Sequence, residues 1–444
     1  MTVTGKTVSG TAVVGTPVTG TAVTGLPPGA AAPRLLCWAG ADPAGERAAR
    51  ARVVDALRSG VPVPPPVPGP VRGAVVTTAA RALDDLAAAP VRQVPAGGPR
   101  PVVLLLPGQG SQHHGMATGL YRDEPVFRAG VDEVLGAWGA EGEAIRADWL
   151  SAVAGAAIPI DDGRRAQPLL FAVDHGLGRL LLSWGVTPAE ALGHSAGEVV
   201  AATLAGVFSV AEAVALVRGR VRAAARIPAG GMLAVAASAE ELGPYLSGQV
   251  AVAAVNAVRR TMLAGPRAEL AVVAARLASD GVTLRPVPAT TPFHSPAMEP
   301  AVAAAELAFD ALPRPPRFPV RSGYTGRLLT AEEAGSARFW ARQIADPVHF
   351  GPALTALLDD GDRLLVECGP GRVLASLAVR QRAVRGGGSA VLSMLPGDRS
   401  DRSDRFGAEY SDRFAVLETS AALWCEGHDL VRDVPDALDV RADL

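Results

Sequence analysis

Apolar residues along this chain follow the rhythm of buried strands alternating with long helices. The stretch "PVVLLLPGQGSQ" (101–112) is an unbroken apolar run closing in a glycine-rich loop, the pattern of a strand covered on both faces. Helical periods follow in "EPVFRAGVDEVLGAW" and "AQPLLFAVDHGLGRLLLSWG", the second ending on a glycine, as helix C-termini often do. "AEALGHSAGE" predicts the next strand and a tight turn, and "GEVVAATLAGVF" and "SVAEAVALVRGRVRAAARI" predict helices. Over residues 229–290 the rhythm changes. "GGMLAVAA" reads as strand, "SAEELGPYL" as helix, "QVAVAAVNA" and "RTMLAGP" as strands, "RAELAVVAARLASDG" as helix and "VTLRPVP" as strand. That β-α-β-β-α-β order is the split βαβ of a ferredoxin-like module. The body resumes after "TTPFHSPAMEP" with "FPVRSGYTG", "DPVHFGPALTALLDDG", the strand "RLLVECGPG" and the helix "VLASLAVRQRA". The expectation is a large α/β subdomain, 101–228 and 291–388, with the ferredoxin-like small subdomain, 229–290, inserted into it.

The flanks read differently. Residues 1–33 repeat Thr, Val and Gly in short irregular units and are expected to be a disordered, low-complexity tail. Residues 34–100 read as a small α/β linker domain. "PRLLCWAG" is a strand, "DPAGERAARARVVDALRSG" a helix and "VPVPPPVPGP" a stiff spacer; "RGAVVTT" is a strand, "AARALDDLAAAP" a helix, and "VRQVPAGGPR" leads out. Residues 389–444 form a C-terminal linker-like segment. It opens with the strand "SAVLSML", passes through the charged "PGDRSDRSDRFGAEYSDR" and the helix "FAVLETSAALWCEG", and ends loosely.

Composition narrows the function classes without choosing one. The chain has 444 residues, a net charge of −2 and 49% hydrophobic residues, which gives no reason to expect nucleic acid or an anionic membrane as partner. Cys37, Cys368 and Cys425 lie far apart, in neither a disulfide framework nor a metal-ligand spacing. No signal peptide and no membrane-length apolar run stands out, so a cytoplasmic protein without metal is the expectation.

The chemistry begins at Gly193-His194-Ser195-Ala196-Gly197, a G-x-S-x-G word in which a strand enters a tight turn and lifts a serine oxygen out of the sheet. A serine at neutral pH needs an adjacent base. Of the seven histidines, His175, His349 and His428 are expected to be structural or uninvolved, and His113 and His114 follow the glycine loop. His194 adjoins the serine, where a tight turn points neighbours apart. His294, in "ATTPFHSPAMEP", is held between Pro292 and Pro296 at the junction of two subdomains, a position facing a cleft more readily than a core. An acyl-transfer site also needs oxyanion donors. The N–H of Ala196 is one candidate, and Gln109, in "PGQGSQ", the other. That loop lacks the Lys-Ser/Thr of a P-loop.

Taken in order, "LLLPGQGSQ", "GHSAGE", "GGMLAV", "VNAVRRTMLAG", "PFHSPAMEP" and "VECGPGRVLASL" resemble the malonyl-CoA:acyl-carrier-protein transacylases, above all the acyltransferase domains of modular polyketide synthases. The resemblance covers residues 100 to 400, and extends more weakly to the linkers on either side. It implies an α/β-hydrolase-like large subdomain and ping-pong acyl transfer through Ser195 with His294 as base. It also implies a backbone carbonyl, expected in "ECGPG" (367–371), to orient that histidine. It further implies an arginine that holds the donor's free carboxylate. "VRGR" offers Arg218 and Arg220, and the family spacing selects Arg220, because choosing Arg218 rotates the helix by about 200°. Gln167, Phe293 and His194 are expected to line the acyl pocket. The word T-P-F-H shares Phe293 with the malonyl-type HAFH, whereas Thr291 and Pro292 depart from both HAFH and YASH, and Ala196 opens some space.

The resulting expectation is transfer of a malonyl-type unit from acyl-CoA, as substrate, to the phosphopantetheine thiol of an acyl carrier protein. No cofactor is expected to be permanently bound. The carrier is expected to be supplied in trans, since no carrier-protein serine motif occurs, and a ketosynthase is a possible neighbour through the linker. An editing hydrolase of the same fold and a non-catalytic docking protein are the alternatives. Arg220 speaks against the first, and intact Ser195 and His294 against the second.

Overall fold

A computed structural model describes residues 32–151, 158–395 and 412–430. The tail, residues 431–444 and most of the charged stretch 396–413 therefore lie outside the described residues. The chain opens with β1 (Arg34–Gly40), β2 (Val71–Thr77) and β3 (Val91–Gln93), an antiparallel sheet in that order. Asp42 caps the helix Pro43–Arg58 by accepting from the Gly45 N–H, and that helix buries Ala49 and Val53 against Leu36 and Trp38. β3 departs from the expectation, which had the chain simply lead out here. All three of its residues are exposed, so it carries no apolar alternation, and only its pairing with β2 makes it a strand.

Next come β4 (Val102–Leu106) and β5 (Glu190–Gly193), every residue of which is buried. The unbroken apolar run of β4 has a direct cause. Val102, Leu104 and Leu106 point into one hydrophobic cluster with the helix Gly163–Ser183, while Val103 and Leu105 point into another with the helix Phe350–Asp359. The inserted module follows as β6 (Gly230–Val235), β7 (Ala251–Ala257), β8 (Arg260–Pro266) and β9 (Leu284–Val287). These strands form an antiparallel sheet in the order β7-β8-β6-β9, backed by Leu270, Val273 and Leu277 of the helix Arg267–Ser279. This is the ferredoxin-like order. The module is tied back to the body where Val255 N–H donates to the Val348 carbonyl at 2.8 Å and Val348 N–H to that of Ala253 at 2.9 Å.

The large sheet is completed by β10 (Val320–Arg321), β11 (Leu364–Glu367) and β12 (Ala390–Ser393), in the all-parallel order β10-β5-β4-β11-β12. Leu105 of β4 is paired with Leu192 of β5 on one side and Glu367 of β11 on the other. The loops after these three strands therefore leave the same carboxyl edge side by side, the place where open α/β sheets hold their ligands. The fold is thus α/β, with a large subdomain and a small ferredoxin-like one. The helix Asp412–Glu426 joins Trp424 and Cys425 to Cys37 and Ala39, packing the C-terminal segment on the first sheet. Among the described residues no helix is long and apolar enough to cross a membrane.

Candidate active site

The turn after β5 is cramped enough to explain its sequence. A Cβ on Gly193 would lie 2.3 Å from the Glu198 Cα, and one on Gly197 would lie 2.1 Å from the Leu106 carbonyl oxygen, so neither position admits a side chain. Ser195 has φ +54° and His294 φ +61°; with Ala117 they are the non-glycine residues of positive φ among those described. Strained backbone at two residues that meet in space marks a functional centre.

They do meet. Ser195 Oγ lies 2.7 Å from His294 Nε2. His294 Nδ1 lies 2.8 Å from the Asp346 carbonyl oxygen. A carbonyl only accepts, so Nδ1 carries the proton, and Nε2 is left as the acceptor for the serine hydroxyl. The His294 N–H also donates to the Ile344 carbonyl at 2.8 Å, so the 344–346 loop holds both the backbone and the ring. This corrects the expectation that placed the orienting carbonyl in residues 367–371. There the Glu367 carboxylate instead accepts from the N–H groups of Leu374 and Ala375, capping the helix Val373–Ala378. Burial depresses the His294 imidazole to about 4; the charges of His194 and Arg220 push the same way, and the Asp346 hydrogen bond opposes them.

Beside the serine, no backbone carbonyl among the described residues receives the N–H of Ala196 or of Gln109. A Cβ on Gly108 would lie 2.5 Å from the His194 carbonyl oxygen and 3.4 Å from the Ala196 nitrogen, so the glycine lets the 107–112 loop close on the elbow. Gln109 is fixed by its side chain, whose Nε2 donates to the Asp161 carbonyl at 3.0 Å. Gln167 Nε2 reaches Gln109 Oε1 at 3.4 Å from the first turns of the helix Gly163–Ser183.

A cavity of about 180 Å³ opens onto Ser195 and His294, lined by Gln109, Gln167, His194 and Phe293 from the body and by Met232 and Asn256 from the small subdomain. His194 turns away from the dyad, its Nε2 2.9 Å from Asn256 Oδ1, and burial lowers its pKa. A wider cleft of about 980 Å³ shares Gly110, Asn256 and Met262 with the inner cavity. Arg259, Arg260, Arg285 and Arg372 line it, and among the described residues no acidic one does.

The three arginines of the "VRGRVR" helix have separate surroundings. Arg218 donates to the Ala137 carbonyl and stacks on Trp138, and Arg222 pairs with Glu141 on the surface. Arg220 is buried on the dyad's side; its Nη2 donates to the Trp340 carbonyl at 2.5 Å and to Gln343 Oε1 at 2.8 Å, and its buried Nε has no partner. Its charge acts on the His294 ring, yet it does not line the inner cavity. Two residues in this layer escaped the sequence reading. Glu198 is buried and accepts from Ser322 Oγ at 2.5 Å and Gln343 Nε2 at 2.9 Å, so Gln343 bridges it to Arg220. Burial raises Glu198 to about 7 against those hydrogen bonds and the Arg220 charge. Its signal was a lone carboxylate in the apolar helix "GEVVAATL".

The remaining histidines stand apart from the dyad. His113 lines the outer cleft, His175 is buried 3.9 Å from Glu133, and His349 precedes the helix Phe350–Asp359. The His428 carbonyl accepts from Arg72 at the linker seam.

The family model of the acyl transferase domain matches residues 103–393, and the chain belongs to that family. It is 37% identical over 292 residues to the mycoketide-CoA synthase of Mycobacterium tuberculosis, covering 62% of this chain and 7% of that protein. With polyketide synthase GfsA of Streptomyces halstedii it shares 36% over 398 residues, 84% of this chain and 5% of that protein. The chain thus spans a small part of the length of these relatives. The solved acyl transferase domain of SpnD, in complex with 2-(pent-4-yn-1-yl)malonyl, superposes with a TM-score of 0.76 at 28% identity, covering 90% of this chain and 97% of that one. The chain is an acyltransferase of the polyketide synthase type.

Proposed function

We propose that this acyltransferase moves a malonyl-type extender unit from acyl-CoA, through an ester on Ser195, to the phosphopantetheine thiol of an acyl carrier protein supplied as a separate partner. The observation that carries this is the Ser195–His294 pair, 2.7 Å apart and with its tautomer fixed, at the floor of a cavity between the subdomains.

Nε2 takes the hydroxyl proton as Oγ attacks the thioester carbonyl, and the Ala196 and Gln109 N–H groups receive the developing oxyanion. When the carbon–sulfur bond breaks, Nε2 returns the proton to the departing thiolate. The carrier thiol then gives its proton to Nε2 while its sulfur attacks the ester, and Ser195 recovers the proton as it leaves. The neutral imidazole favoured by burial suits both proton acceptances.

Arg220, a buried cation whose charge acts on His294, supports a donor with a free carboxylate, since its unpartnered Nε can turn toward one. Phe293 narrows the cavity against a substituent at the α-carbon. The arginines of the outer cleft suit the phosphates of CoA and of phosphopantetheine.

Intact-protein mass spectrometry after brief incubation with malonyl-, methylmalonyl- or acetyl-CoA tests the donor, with Ser195→Ala as control. A malonyl adduct lost in the variant, with little from acetyl-CoA, is expected. Addition of a separate phosphopantetheinylated carrier then discharges it. Labelling by acetyl-CoA alone overturns the carboxylated donor, and release of free acid without carrier acylation favours the hydrolase.

A further inference from the structure

His294 depends on a carbonyl that itself has to be held still. Asp346 follows the helix Ala337–Arg342 by a few residues and carries that carbonyl. Its carboxylate is gripped by three hydrogen bonds from two side chains. Tyr324 Oη donates to Oδ2 at 2.5 Å, Arg342 Nε donates to Oδ2 at 2.9 Å, and Arg342 Nη2 donates to Oδ1. Arg342 Nη1 in turn reaches both oxygens of Glu299 at 2.8 Å. Glu299 begins the helix Glu299–Leu307, in the same strand-to-helix segment that carries His294. The Tyr324 N–H donates to Glu198 Oε2 at 3.2 Å, on the helix that starts at the nucleophile elbow. The serine's helix, the histidine's segment and the orienting carbonyl are therefore closed into one ring of hydrogen bonds.

We infer that the Tyr324–Asp346–Arg342–Glu299 clasp is a positioning device for the general base, and that the Asp346 carboxylate also supplies the negative charge facing the imidazolium as it forms. Among the described residues, His194 in the turn after β5, Arg220 of the helix Val210–Ala224 and Asp346 bring charge to bear on His294. The first two disfavour a second proton on the ring, and Asp346 alone of the three favours it. Its partners hold the Asp346 carboxyl below its ordinary value despite burial, so the charge is present at working pH. A carboxylate engaged by neighbours on both sides acts on His294 by orientation and field, without touching substrate.

The inference rests on the Ser195–His294 reading, and its test separates the two. The test compares the full chain with Asp346→Asn, which keeps the carbonyl and side-chain volume, and with Tyr324→Phe, which keeps the charge. The rate of Ser195 modification by a fluorophosphonate is followed across pH, alongside kcat and KM for the acyl-CoA donor and the His294 Nδ1–H proton resonance. Asp346→Asn is expected to lower the plateau rate and kcat about tenfold with KM unchanged. Its acid limb moves to lower pH, and the Nδ1–H resonance shifts. Tyr324→Phe is expected to cost about threefold and leave the acid limb in place. Wild-type rate, limb and resonance in Asp346→Asn overturn the inference, and so does a loss confined to KM. A wild-type chain that no fluorophosphonate labels overturns the dyad reading instead, while the resonance still reports on the clasp.

Discussion

Two regions of this molecule bury charge, and they treat it in opposite ways. At the seam between the linker sheet and the C-terminal helix, Arg72 is buried yet fully engaged. Its Nε donates to the Gly69 carbonyl, Nη1 to the carbonyls of Trp424 and His428 and Nη2 to Asp429, and its plane lies 4.4 Å from the centre of the Trp424 ring. Glu46 is likewise satisfied by Trp38 Nε1 at 2.6 Å and Arg50 Nε at 2.9 Å. Around the dyad the same kinds of groups are held away from their ordinary ionisation: His294 at about 4, Glu198 at about 7 and Arg220 at about 10, each mainly by burial. Saturated charges fasten two surfaces together. Of the three groups at the dyad only Arg220, at its Nε, has a buried atom without a partner, and groups whose ionisation burial has displaced are the ones a ligand or a transition state can still act on.

The largest expected effect tests this contrast at Arg220. A hydrogen bond to a charged group contributes about 1.5–3 kcal/mol, so Arg220→Ala is expected to lower kcat/KM for malonyl-CoA by about 100-fold and that for acetyl-CoA by less than about threefold. Steady-state transfer with both donors decides it, and an equal loss on both makes Arg220 a structural cation like Arg72. Arg72→Ala is the reciprocal case. It removes the donor that Arg72 supplies to the carbonyls of Gly69, Trp424 and His428 and to Asp429, and should cost about 2–3 kcal/mol in urea unfolding while kcat per folded molecule is unchanged. A fall in kcat there would show that the seam communicates with the site.

The pH profile sharpens the comparison further. Acylation needs a neutral Nε2, so its rate should hold down to about pH 4 and then fall about tenfold per pH unit, well below the ordinary histidine range. An acid limb near 6.5 would mean the imidazole is not sealed from water. The same displacement acts on stability. Between about 6.5 and about 4 the unfolded chain binds a proton that the folded ring refuses, so this group lowers stability as pH falls through that window.

The smallest expected effect lies beside Gly369, in the loop after β11. Neither oxygen of the fully buried Asp174 has a hydrogen-bond partner, and burial with the nearby Glu367 charge raises its pKa well above the ordinary value. The folded state therefore keeps a proton that the unfolded chain loses, and stability falls as pH rises above the unfolded value. Asp174→Asn should raise Tm by about 3 °C at pH 8 and leave it unmoved near pH 4. An equal change at both pH values removes the ionisation argument.

Much of this was legible in one dimension because it rests on residue type at short range. A strand covered on both faces must be apolar throughout, which marks β4, and a change of rhythm over 229–290 marks the inserted module. The cramped elbow excludes side chains beside Ser195, so the glycines advertise it. His294 was visible through its prolines, whereas Arg220 was chosen over Arg218 only through the family resemblance; in the structure the Arg220 charge acts on the His294 ring while Arg218 lies on Trp138.

What only the tertiary structure decided is where main-chain groups and distant partners fall. The carbonyl that orients His294 belongs to Asp346 and not to the 367–371 loop, because every residue offers a carbonyl and sequence cannot say which one the fold brings within 2.8 Å. Gln343 bridges Glu198 and Arg220 across separations of 145 and 123 residues, and no local pattern encodes that meeting. β3 exists only through its neighbour. Residue type and local pattern singled out Ser195 and His294 in the sequence, and the meeting of the turn after β5 with the His294 segment and the 344–346 loop decided the pair's orientation, protonation and surrounding charge, because those partners are far apart in the chain.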